Sequence, residues 1–280
     1  MTDTTACVPP ELVEKYEIEV VPIQLIVDNK TYLDGIDIKP TEFYALLRQS
    51  KKIPTTSASS PDNYIKAFRG ASRKAPGILC LTEPSKFSAM FNSAHIAADI
   101  VGESLRDTTI EILDCTTAAA GLGLVVLAAA RAAAEDKPLE TVKETAINVM
   151  ERVNLLATLD TLQYLAKSGR VPQAAAMVNS ILNIKPVFTL NHSDAHTVAL
   201  PRTMKSAVNR MLKLMQSMVK KKHPLHVAVI HADAMEQAMA FKNRISAQFE
   251  CREIFITEFT PVMGVHTGPG LIGVAFYEEE

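Results

Sequence analysis

The chain has 280 residues, of which 48% are hydrophobic and 21% charged, and its formal net charge is −2. That composition fits a soluble globular protein with a real core, as one large domain or two ordinary ones. No basic excess points to nucleic acid, no like-charge block forms a tail, and the uncharged stretch Cys115 to Ala130 is too short and weakly apolar to span a bilayer.

The opening MTDTTACVPP lacks the basic and apolar regions of a signal peptide, so a cytoplasmic location is expected. Strand-like runs follow in IEVVPIQLIV and TYLDGIDI, on either side of a turn at Asp28-Asn29-Lys30. Pro40 and Thr41 open a helix through EFYALLRQS, and KKIPTTSASSPDNY reads as a polar loop rich in hydroxyls. GILCLT predicts a buried strand, and SKFSAMFNSAHIAADIVG a helix with Ser85 and Ser88 in its first turn. TIEILDC predicts a second strand, and Thr117 to Ala134 an Ala-rich helix. Such a βαβα run favours a mostly parallel sheet with helices on its faces. Pro138 starts a further helix through Val153.

The second half reads as a mixed α+β module. TLDTLQYLAKSGR is a short helix with Gly169 as its C-cap, AAAMVNSILNI a helix, KPVFTLN a strand, and Pro201 to Met218 a helix. HVAVIHA, MEQAMAFKNRISAQF, REIFITEF and LIGVAFY then alternate between strand and helix, ending in a strand. The lysines at 220–222 fit a solvated helix end. With no linker in the composition, the boundary is placed between an N-terminal α/β domain, 1–155, and a C-terminal α+β domain, 156–280.

The four cysteines form no CxxC pair, and Cys80 and Cys115 read as small hydrophobes at strand ends. His192 and His196 belong to a hairpin turn with no third ligand, and His223, His226 and His231 share no face, so no metal is expected. No G-x-S-x-G elbow supports a hydrolase. Three places could hold an anion. The loop PTTSASS offers neutral donors, although helix capping by Ser60 or Asp62 is its simpler role. In LTEPSKFS a buried strand gives way to a helix, where free N–H groups collect ligands in α/β sheets; Ser85 could equally be a plain cap. In PVMGVHTGPG a turn rich in Gly and Pro carries His266, which such a turn does not itself require.

These pieces occur in a familiar order. TDTTACVPP, IPTTSASSPDNY, LDTLQYLAKSGRV, ILNIKPVFTL, RTMKSA and HTGPGLIGVAF resemble the DegV family of fatty-acid-binding proteins from the first residues to the last. The resemblance implies a two-domain α/β fold with a lipid tunnel holding a long-chain fatty acid (C14 to C18, such as palmitate, stearate or oleate). It implies no other cofactor and no catalysis by the chain itself. In many bacteria such proteins are the binding subunits of fatty acid kinase: they present the carboxylate to a separate ATP-binding subunit for acyl-phosphate formation, and peripheral membrane contact would serve lipid exchange. Position by position, Thr55, Thr56 and Ser57 match the carboxylate loop. Ser85 and Ser88 match the strand-to-helix turn, and His266, Thr267 and Gly268 the last motif. Arg170 and Arg202 match arginines assigned to the face met by the kinase subunit. The sequence departs from the family pattern where Ala89 and Met90 replace a Gly-Thr pair, and in the strand expected before TDTT, which reads as missing or as lost to a truncated start. The competing reading is an enzyme or sensor that binds a small anion at the same helix starts.

Overall fold

The computed structural model describes residues 1–50, 52–180, 184–220 and 223–279. In chain order the first half contains Thr2–Asp3 (β1), Pro10–Lys15 (α1), Val20–Val21 (β2), Gln24–Val27 (β3), Lys30–Leu33 (β4), Pro40–Gln49 (α2) and Thr55–Ser57 (β5). Pro61–Ala71 (α3), Gly77–Thr82 (β6), Met90–Gly102 (α4), Thr109–Asp114 (β7), Ala120–Ala134 (α5) and Leu139–Arg152 (α6) complete it. Four of these strands make a parallel sheet in the order β2-β1-β6-β7. β3, β4 and β5 form a small antiparallel sheet in the order β4-β3-β5.

The second half contains Asn154–Thr158 (β8), Gln163–Ser168 (α7), Pro172–Ser180 (α8), Val187–Asn191 (β9), Asp194–Ala199 (β10) and Met204–Met218 (α9). Leu225–His231 (β11), Met235–Ser246 (α10), Cys251–Glu258 (β12), Pro261–Thr267 (α11) and Ile272–Glu278 (β13) follow. Its six strands lie in the order β10-β9-β8-β13-β11-β12, antiparallel except for the β11–β12 pair. The molecule is thus an α/β protein with a parallel-sheet N-terminal domain and a mixed-sheet C-terminal domain.

The apolar pattern explains how the two are joined. From Ala120 to Ala129, α5 carries no polar side chain, so it has no face to offer water and is buried on all sides. It packs against α6, against the turn at Thr4–Ala6, and against β8, β11 and β13 of the other sheet. α9 and α10 are amphipathic and cover the opposite face of the six-stranded sheet. Met211, Met215, Phe241 and Ile245 meet Val227 and Val229 there.

Several local expectations change. IEVVPIQLIV is interrupted at Pro22, which has no N–H to donate, and yields β2 and β3 instead of one strand. Thr2–Asp3, within the TDTT stretch itself, forms a short strand inside the parallel sheet, paired with Val20 on one side and Leu81 on the other. PTTS is not a loop: Thr55–Ser57 pairs with β3, with Thr56 opposite Leu25. α4 begins at Met90, so Ser85 and Ser88 lie in the loop before it and not in its first turn. Asn154–Thr158 is a strand that the pattern did not reveal. The hairpin at His192 and Ser193 is present, with both residues at positive φ, 46° and 60°. The end of AAAMVNSILNI, at 181–183, and Lys221 and Lys222 of the lysine run lie outside the described residues.

Candidate functional site

A cavity of about 400 Å³ opens where the end of β6, the start of α4, β5 and α11 converge. Its wall includes Thr56 and Ser57 of β5, Glu83, Ser85 and Ser88 of the loop after β6, and Ala89 and Asn92 at the start of α4. Arg170, Met263 and His266 close it from the C-terminal domain. The position follows from topology: parallel strands deliver their C-terminal ends, and the helix starts that follow them, to one edge of the sheet.

His266 arrives by a route the sequence did not suggest. Pro261 to Thr267 is a helix, not an open turn, with Thr260 at its N-cap and Pro261 in its first position, where the missing N–H costs nothing. His266 occupies its last turn. Gly268 ends the helix at φ 70°, and a Cβ there would lie 2.3 Å from Tyr164 Cδ2, so only glycine fits. Gly264 faces the other way: a Cβ on it would sit 2.7 Å from Phe43 Cε1 and 2.8 Å from the Tyr44 hydroxyl. Close packing on two sides therefore fixes the imidazole's position.

His266 Nε2 lies 3.1 Å from Thr56 Oγ1. Burial, reinforced by the nearby Arg170, pushes the imidazole's pKa down to about 4. At neutral pH it is uncharged, with one ring nitrogen as donor and the other as acceptor. With the proton on Nε2 it donates to Thr56 Oγ1, leaving the Thr56 hydroxyl hydrogen free for a ligand oxygen.

The start of α4 supplies a second set of donors. Ala89 at the N-cap has no side chain that could cap, and the first turn holds no acidic residue. The first N–H groups of this 13-residue helix are therefore unclaimed by any described cap and carry the positive end of the helix dipole toward the cavity. Ser88 and Asn92 add side-chain donors beside them.

The remaining expected residues divide. Ser85 reaches the cavity edge, but its backbone N–H donates to Asp114 Oδ1 at 2.7 Å and its hydroxyl to Asp114 Oδ2. Thr55 is exposed on β5 and does not line the cavity, whereas Thr56 and Ser57 after it do, Thr56 with its hydroxyl beside His266. The Thr267 hydroxyl donates back to Met263 O at 3.1 Å, and Gly268 ends the helix. Neither is among the residues of the cavity wall. Arg170, expected on a partner face, lines the cavity itself; its guanidinium donates to Ser168 O at 2.7 Å. Arg202 is exposed just before α9 and is not part of this wall. The reading of the residues missed Glu83 and Lys86 altogether. Glu83 interrupts an otherwise apolar strand end, a signal that could have been noticed. Lys86 is paired with Asp194 at 3.2 Å.

No group of three His, Cys, Asp or Glu among the described residues could hold a metal ion. No helix among them is long and apolar enough to cross a membrane.

Comparison with known proteins gives a consistent result. Residues 1–279 match the family described as "Uncharacterised protein, DegV family". A DegV domain-containing protein of Clostridium acetobutylicum is 32% identical over 280 residues, covering 100% of this chain and 97% of that protein. The solved structure titled "Fatty Acid Binding of a DegV family Protein from Thermus thermophilus" is 26% identical with a TM-score of 0.91, covering 99% of this chain and 98% of that one. That of DegV, "a fatty acid binding protein from Bacillus subtilis", is 25% identical with a TM-score of 0.89 over the same shares. On its own sequence and fold, this chain belongs to the DegV family.

Proposed function

We propose that this protein is a fatty-acid carrier: the cavity holds the carboxylate of a long-chain fatty acid, and the chain itself performs no chemistry. The observation that carries this reading is the Thr56–His266 pair facing the uncapped start of α4. Among the described residues no acidic side chain caps that helix start. Thr56, Ser57, Ser88 and the first N–H groups of α4 would hold the carboxylate, with neutral His266 orienting the Thr56 hydroxyl. Removing a carboxylate from water is costly unless several donors receive it, which is what this wall supplies. Each tail methylene buried would add roughly 0.8 kcal/mol, so the chain would dominate affinity. The solved fatty-acid-binding relatives from Thermus thermophilus and Bacillus subtilis support the ligand class.

Native mass spectrometry of the purified protein, followed by extraction of whatever is bound, tests the reading directly. A stoichiometric fatty acid of C14 to C18, lost or weakened in Thr56→Ala, is the expected result. A protein that is empty and takes up no added palmitate would overturn it. The small-anion alternative would then gain from the cavity's largely polar wall.

We further propose that the carrier presents its fatty acid to a separate ATP-using kinase subunit in the cytoplasm, which forms the acyl phosphate. Peripheral contact with membranes would serve lipid exchange. Exposed Arg202 is assigned to the partner face, whereas Arg170 stands at the head group. Arg202→Ala should keep its lipid and lose phosphorylation by a matching kinase subunit; unchanged turnover would remove this partner face.

A further inference from the structure

One residue of the cavity wall has the wrong charge for an anion site. Glu83 follows the last residue of β6, where its backbone N–H donates to Asp3 Oδ2 at 3.0 Å. Asp3 is buried and also accepts from the Thr5 N–H at 2.9 Å and from the Thr5 hydroxyl, so its carboxyl is occupied with holding the loop. The Glu83 side chain is not so employed. It lines the cavity with Thr56, Ser88, Arg170 and His266, and among the described residues none hydrogen-bonds to it or lies within ion-pair distance.

The groups around it decide which form it takes. Asp3 from β1 stands behind it as a second carboxyl, and Tyr64 of α3 lies nearby. Asp114 at the end of β7 is held by Ser85. Lys86, on the same loop, is paired away with Asp194. His266 of α11 is neutral, and Arg170, between α7 and α8, is directed to Ser168 O. Arg170 is thus near enough to favour the ionised form without pairing with it. Burial and Asp3 outweigh it and push the Glu83 carboxyl up to about 8. At neutral pH the wall therefore holds a carboxylic acid, which is a donor, and not a carboxylate, which would repel the ligand.

We propose that Glu83 is a head-group residue: as a carboxylic acid it donates a hydrogen bond to the ligand's carboxylate, so that the two carboxyl groups of the complex share the proton Glu83 carries. Two carboxyl groups facing each other in a partly dry site share one proton, because both cannot be ionised there without strong repulsion. The inference rests on the fatty-acid reading and adds a donor that neither Thr56 nor the helix start supplies.

The test is displacement of a fluorescent fatty acid by palmitate from pH 6 to 9, using wild type, Glu83→Gln and Glu83→Leu. Wild-type affinity should be level up to about pH 8 and then fall about tenfold per pH unit, because the proton must be supplied from solution. Glu83→Gln, which keeps an N–H donor, should bind within a few-fold of wild type at pH 7 and lose the alkaline fall. Glu83→Leu, with no donor, should bind about tenfold or more weakly. The comparison of wild type with the Gln variant cancels any titration of palmitate itself. An unchanged alkaline slope in Glu83→Gln would overturn the proposal. So would a Gln or Leu variant that binds about tenfold more tightly at pH 7, which would mark Glu83 as a repelling anion. A wild type that takes up no palmitate at any pH would overturn the fatty-acid reading and this inference together.

Discussion

The two walls of the cavity are built in opposite ways. On the C-terminal side, α11 is held by contact: Gly264 lies against Phe43 and Tyr44, Gly268 against Tyr164, and Val262 and Val265 are buried. Its functional side chain already has a partner in Thr56. On the N-terminal side, the start of α4 has no cap, and Ser88, Ala89 and Asn92 are open to the cavity. One wall fixes a single imidazole in one place. The other offers donors that no cap among the described residues satisfies. A binding site needs both, since donors bind tightly only where their position is set beforehand.

The largest expected effect comes from disturbing the packed wall. In Gly268→Ala the new methyl meets the Tyr164 ring while the backbone stays at φ 70°. Overpacking and the strain of a side chain at φ 70°, ψ 178°, a region essentially reserved for glycine, should together cost about 2–4 kcal/mol. Gly35→Ala is the reference without a clash: its φ is 75° and nothing lies within 4 Å, so backbone strain alone should cost about 1–2 kcal/mol. Urea unfolding of both variants reads the difference. Equal losses would show that Tyr164 yields freely and that α11 is not held as described.

This contrast also marks what could be read without a structure. The alternation of strands and helices was legible because each is a run with its own period. His266 and the hydroxyl stretch were legible because neither residue type is needed where it stands. Their geometry was not. α11 is only seven residues long and contains Pro and Gly, so it shows no helical period. The PTTS strand exists only through its pairing with β3, about thirty residues earlier. That pairing turns Thr56 inward and Thr55 out. Ser85 reads as a free hydroxyl until Asp114, 29 residues on, is seen to claim it. Arg170 and Glu83 look like surface charges because nothing local says that the chain folds over them. In each case the deciding contact is long-range.

The open wall can be challenged by giving it the anion it lacks. Ala89→Asp places a carboxylate beside the free N–H groups of α4, where a negative charge at a helix start is favourable by roughly 0.3–1 kcal/mol. The same carboxylate would occupy and repel the ligand's position. Stability should therefore rise slightly while palmitate affinity falls about tenfold, or about 1.4 kcal/mol. A variant that gained stability without losing affinity would show that the helix start takes no part in binding.

The smallest effect supplies the control, because α9 begins in the opposite way from α4. Thr203 caps it, accepting a hydrogen bond from the Ser206 N–H at 3.1 Å, and this start is not part of the cavity wall. Thr203→Ala removes that acceptor and should lower stability by about 1 kcal/mol, with palmitate affinity unchanged. A capped helix start that serves only the fold should lose stability alone, whereas an uncapped one that serves a ligand should exchange stability against affinity. If Thr203→Ala weakened palmitate binding as much as Ala89→Asp, the effect of the latter would have to be ascribed to general loosening of the fold. The distinction drawn between the two helix starts would then fail.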